Sequence, residues 1–124
     1  MQVPPKPSLG QRRDAEFTQQ LDVATELEYL EEALEEAEAA ARWYAERSAS
    51  AAVGFSEEID AAESAITDFP DAWPPFAHGT RRYLLRRYPF SVIYRVESRR
   101  VLIVAVAHGH RRPGYWKSRL PIPG

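Results

Sequence analysis

The chain of 124 residues has no cysteine, which excludes a disulfide framework and any thiolate metal site. It has no apolar run approaching the roughly 18 residues of a membrane span, and its first residues lack the apolar core of a secretory signal. We therefore expect a cytoplasmic protein. Its length leaves room for one domain with a single core. Acidic residues are scarce in one region. From residue 71 onward only Asp71 and Glu97 stand against 11 Lys and Arg, whereas residues 14–70 hold 16 acids against Arg42 and Arg47 alone. The net charge of −2 thus conceals a C-terminal part near +9 and a preceding part near −14. Such asymmetry indicates a nucleic-acid or acidic-protein partner, or two halves of one domain that attract each other.

What is present falls into an orderly series. Pro4, Pro5, Pro7, Ser8 and Gly10 interrupt any regular element, so residues 1–22 read as a flexible N-terminal extension and residues 23–124 as the domain. Leu27 to Leu30 form a candidate short strand, and Glu31 to Arg47, rich in Ala, Glu and Leu, form a helix. Leu30, Leu34, Ala37, Ala41 and Tyr44 recur at helical steps, and the small alanines permit close approach of a second helix. Ala52, Phe55, Ile59, Ala62, Ile66 and Phe69 repeat that spacing after Ser48-Ala49-Ser50, where either serine would cap. Pro70 stops this helix, since its ring disfavours helical geometry at the residue before it.

From Arg81 the period becomes that of strands. Phe90, Val92, Tyr94 and Val96 alternate onto one face, and Val101 to Ala107 is apolar on both faces, as in a central strand. Only Glu97-Ser98-Arg99-Arg100 separates the two runs, which suits an antiparallel hairpin. The expected fold is α+β: a short N-terminal strand, then a helical hairpin packed on an antiparallel sheet of about four strands. His108 is expected on the face of Leu102, Val104 and Val106, and Trp43 and Trp73 are assigned to packing.

Several segments together resemble the RelE/ParE superfamily of toxins from bacterial type II toxin–antitoxin pairs. They are Ala40-Ala41-Arg42-Trp43-Tyr44, Phe69-Pro70-Asp71-Ala72-Trp73-Pro74, Arg81 through Phe90 with Val92 to Val96, and Val104 to His108 followed by Arg112-Pro113-Gly114-Tyr115-Trp116. The resemblance runs from about Leu27 to Leu120. It implies the fold just derived and a cognate antitoxin partner in a hetero-oligomeric complex. RelE-like members are ribosome-dependent nucleases that cut messenger RNA, and ParE-like members instead poison DNA gyrase. A decayed, non-toxic relative that only binds the antitoxin is a third form.

Metal-independent RNA cleavage needs a base, an acid and cations on the phosphate. His108, His110, Arg112 and Tyr115 are the candidates, with Arg111 beside them. Where nuclease members carry Arg-Leu-x-Tyr, this chain has Ser91-Val92-Ile93-Tyr94, and Gly109 falls where RelE-like members carry a second arginine. His110 aligns with a histidine of a related nuclease subgroup, while Tyr88-Pro89-Phe90 is typical of ParE-like chains. The reading that follows is ParE-like. For contact with target or antitoxin the candidates are Arg81, Arg82, Arg86, Arg87, Arg111, Arg112 and Trp116. Each arginine doublet would place one residue on each strand face, with Glu31 to Glu38 as the competing intramolecular partner. A metal site from His78, His108 and His110 is disfavoured, because His-x-His alone supplies two ligands with no nearby carboxylate on the same segment, so neither metal nor cofactor is expected.

Overall fold

The computed structural model describes residues 26–120; the extension read over residues 1–22 lies outside them. The order is β1 (Glu26–Tyr29), α1 (Glu31–Ala45), α2 (Ala49–Asp68), β2 (Arg81–Leu84), β3 (Phe90–Glu97) and β4 (Arg100–His108), with single 3-10 turns at Ala77–Gly79 and Lys117–Arg119. The four strands form one sheet in the order β1-β4-β3-β2. No described helix is long and apolar enough to cross a membrane.

α1 starts with Glu31 and Glu32 in its first turn, where carboxylates meet the positive end of the helix dipole. Of the two serines that could cap α2, Ser48 does so, its Oγ accepting the Ala51 N–H at 3.1 Å. Phe55, Ile59, Ala62 and Ile66 of α2 are buried together with Ala33 and Ala40 of α1 against Val92, Tyr94, Val101, Ile103 and Val106 of the sheet. Burying each large apolar side chain there contributes about 1.5–3 kcal/mol. On the opposite face Ile93, Val104, Ala105 and Trp116 make a smaller core, with Phe76, Tyr115 and Leu120 against it.

The structure corrects five details. β1 pairs with β4 in parallel, Leu27 opposite Val101 and Tyr29 opposite Ile103, so the sheet is mixed. Alternation of side chains is the same whichever way a strand runs, which hides direction from the sequence. Leu34 is 44 % and Phe69 65 % exposed; the buried stripe of α1 passes through Ala33 and Ala40, and Phe69 lies past the last turn of α2. Val96 is exposed as well. The ladder between β3 and β4 shifts register between Ile93 and Tyr94, with Ile93 opposite Ala105 but Tyr94 opposite Ile103. That bulge puts Val104 and Ala105 on the same side, so His108 shares the helix face of Ile103 and Val106, not that of Leu102 and Val104. Finally, Arg86 and Arg87 lie beyond β2 in the turn to β3, so only Arg81 and Arg82 obey the strand alternation.

Candidate functional site

The bulge aims His108 into a groove of about 570 Å³ between α1 and the upper end of β4. Ala39, Ala40, Trp43 and Tyr44 of α1 form one wall, Pro89, Phe90 and Val106 the floor, and Arg111 and Tyr115 the other wall. Trp43 is 51 % exposed. It stands edge-on to Tyr44 with centroids 5.1 Å apart and carries the Arg47 guanidinium 3.7 Å above its ring. It is therefore a groove lip and not the packing residue that the sequence suggests. Apolar concavities with a few fixed polar groups are the usual form of a binding site.

Polar groups close one end of the groove. β1 stops opposite Ile103 while β4 runs on to His108, leaving backbone groups of β4 without a strand neighbour. Side chains take them up: Glu36 accepts the Val106 N–H at 3.0 Å, and Arg119 Nη1 donates to the Val104 carbonyl at 3.1 Å. The same Glu36 carboxylate accepts from both terminal nitrogens of Arg119, at 3.0 and 2.8 Å, and from the Tyr115 hydroxyl at 2.6 Å. Burial pushes its carboxyl upward, but the hydrogen bonds from Arg119, Tyr115 and Val106 outweigh this and hold it below the usual range. Tyr115 is pushed well above the usual phenol range by burial and by Glu36.

His108 Nδ1 accepts the backbone N–H of His110 at 3.0 Å, so a neutral His108 carries its proton on Nε2. Its ring stands edge-on to Phe90 at 5.0 Å and to His110 at 4.9 Å. The Arg111 guanidinium lies 3.7 Å over the Tyr115 ring and has no carboxylate within ion-pair distance among the described residues. Arg112 is exposed. No group of three or more His, Asp or Glu among the described residues is placed to hold a metal ion.

The other candidates scatter. Arg81 Nη1 donates to the Trp73 carbonyl at 2.6 Å, and Arg82 stacks on Phe76 at 4.3 Å on the far face. Arg87 pairs with Glu58 at 3.0 Å, and the same carboxylate accepts the backbone N–H groups of Arg86 and Arg87. The intramolecular acid for this turn is thus Glu58 of α2, and the Glu31 to Glu38 run supplies Glu36 to Arg119 instead. Trp116 is 1 % exposed and packs edge-on to His78 and beside Phe76; it anchors the C-terminal segment and offers no contact surface in this fold. Sequence reasoning missed Glu36, although its place three residues after Ala33 and four before Ala40 puts it on the buried face of α1.

A family model described as the ParE toxin of type II toxin–antitoxin system, parDE, matches residues 27–113. Among solved structures, a chain of a chromosomal ParDE TA system from P. aeruginosa is 19 % identical with a TM-score of 0.60, over 68 % of this chain and 96 % of that one. None of the curated proteins matches. At that identity the structural likeness speaks for the fold. The match runs from the second residue of β1 through both helices and the other three strands to Pro113, and on it the chain belongs to the ParE toxin family of type II toxin–antitoxin systems.

Proposed function

We propose that the chain blocks DNA replication in the cytoplasm by binding DNA gyrase, and that a segment of its cognate antitoxin neutralises it by docking in the groove between α1 and β4. Family membership carries the toxin and its antitoxin partner; the groove supports the docking place. Its apolar walls suit aromatic or aliphatic anchors, and the uncompensated Arg111 at its rim suits a carboxylate beside them.

One observation favours target binding over RNA cutting: the hydroxyl of Tyr115 is committed to Glu36. Proton donation by that phenol would break a short bond to a carboxylate that also holds Arg119 and Val106. The second reading, a ribosome-dependent nuclease, rests on the contact of His108 with His110 next to Arg111, where an imidazole pair would serve as base and acid. The double variant His108→Ala, His110→Ala separates the two. Under the binding reading it still arrests growth when made without antitoxin; under the nuclease reading arrest disappears while the fold, followed by circular dichroism, persists.

A further inference from the structure

β2 is an edge strand, and only its first half is covered. The segment before it shields the start: the Phe76 N–H donates to the Thr80 carbonyl at 2.7 Å and the Arg82 N–H to the Pro74 carbonyl at 3.1 Å. On the other side the Leu85 N–H donates to the Phe90 carbonyl at 3.0 Å, towards β3. Alternation therefore turns the N–H and C=O of Leu84, and the C=O of Arg82, outward. Among the described residues none of these three groups has a partner outside the strand pairing. Beyond Leu84 the edge closes again, because Glu58 takes the Arg86 N–H. The Leu84 side chain is 61 % exposed. Arg82 shares its face two residues earlier, and Arg86, in the turn just beyond the strand, has no carboxylate on its guanidinium among the described residues.

An open edge with an exposed leucine between two uncompensated arginines has a definite complement. A second copy of β2 laid antiparallel about Leu84 would bring each Arg82 towards the Arg86 in the turn just beyond the other copy's strand, and like charges brought together across a strand pair destabilise it. A strand with an apolar residue opposite Leu84 and carboxylates on either side would gain both the ladder bonds and the charge pairs. We propose that this outer edge of β2 is a docking site for an extended acidic segment of the toxin's target protein, on the opposite edge of the sheet from the groove that receives the antitoxin. That the acidic segment belongs to the target rests on the function proposed above.

The experiment has two arms on the full chain. In the first, the isotope-labelled protein is titrated with a short peptide of the pattern Glu-Thr-Val-Thr-Glu, which puts the valine and both glutamates on one strand face, with its counterpart carrying lysine for glutamate, and with a single-stranded oligothymidine. The glutamate peptide should shift the Leu84 and Arg82 amides and slow hydrogen exchange at the Leu84 N–H. The variant R82E/R86E should weaken that binding by at least about tenfold, whereas the single charge reversal R99E at the hairpin tip should not. No binding, equal binding of the lysine peptide, or preference for the oligothymidine overturns the site. In the second arm, L84E and R82E/R86E are made in cells alongside the wild type. Loss of growth arrest with capture of the antitoxin intact supports the assignment; full arrest by both folded variants overturns it. A wild type that arrests nothing would sink the toxin reading, and with it the assignment of the segment to the target, while the peptide arm still decides the edge.

Discussion

Glu36 gathers an arginine, a tyrosine and a strand N–H onto one carboxylate at the closed end of the groove. Its replacement by alanine leaves Arg119 and Tyr115 half-buried without their acceptor, and should cost about 2–3 kcal/mol in a urea titration. The sign of the pH effect follows from the lowered carboxyl. The contribution is fully present above the unfolded glutamate value, about 4.3, and is lost as pH falls through the lower folded value. Wild type should therefore lose stability relative to Glu36→Gln as pH falls below about 5; parallel profiles would show that the carboxylate is not held in its charged form. At this scale the sequence was partly legible. The histidines and Arg111 were visible as chemistry-bearing residues, and three of them do line or border the groove. Glu36 was hidden among the acids Glu31 to Glu38, because its distinction is a position on the helix and not a composition. Arg81 and Arg82 looked alike in sequence, yet the first spends its guanidinium on the Trp73 carbonyl and the second lies over Phe76.

The turn between β2 and β3 is tied to α2 at two points. Glu58 accepts the N–H groups of Arg86 and Arg87, and the Tyr88 hydroxyl donates to the Ala51 carbonyl at 2.7 Å. Tyr88 passes directly over Gly54, where an added Cβ would overlap its hydroxyl oxygen and lie 3.5 Å from the ring carbon that carries it. Gly54→Ala should thus destabilise the domain by about 1–3 kcal/mol, despite the better helix propensity of alanine. Tyr88→Phe, which loses only the hydrogen bond, should cost about 1 kcal/mol. Amide exchange of Arg86 and Arg87 should quicken in the glycine variant; unchanged stability there would mean that the ring moves aside freely. Helices, caps and hairpin were legible because propensity, the Ser48 cap and the Pro70 stop all point the same way. The bulge opposite Ile93 was not, since every residue from Val101 to Val106 is buried and a run apolar on both faces carries no parity to read. That single extra residue decides whether His108 faces the groove.

For the whole molecule, the split between acidic helices and basic sheet is only partly an internal attraction. Glu28 with Arg100, Glu36 with Arg119 and Glu58 with Arg87 join the two parts. Within the basic part, Arg95 and Arg100 share Glu97. Arg82, Arg86, Arg111 and Arg112 remain without acids among the described residues, on different sides of the sheet. Truncating the lip should report on the groove alone: Trp43→Glu is expected to weaken capture of the antitoxin by about tenfold or more while leaving circular dichroism unchanged, as loss of an aromatic anchor does. Undiminished capture by the folded variant would place the antitoxin elsewhere. Fold class and family were legible because segment order and spacing span the chain; the target was not, because the same sheet and arginines suit gyrase and ribosome alike. The most direct measurement is therefore a pulse-labelling time course after induction without antitoxin, following thymidine and amino-acid incorporation in parallel. Binding to gyrase predicts that DNA synthesis fails first while protein synthesis continues. Collapse of amino-acid incorporation within the first pulses, with thymidine still entering DNA, would contradict it and make His108 and His110 the residues to pursue.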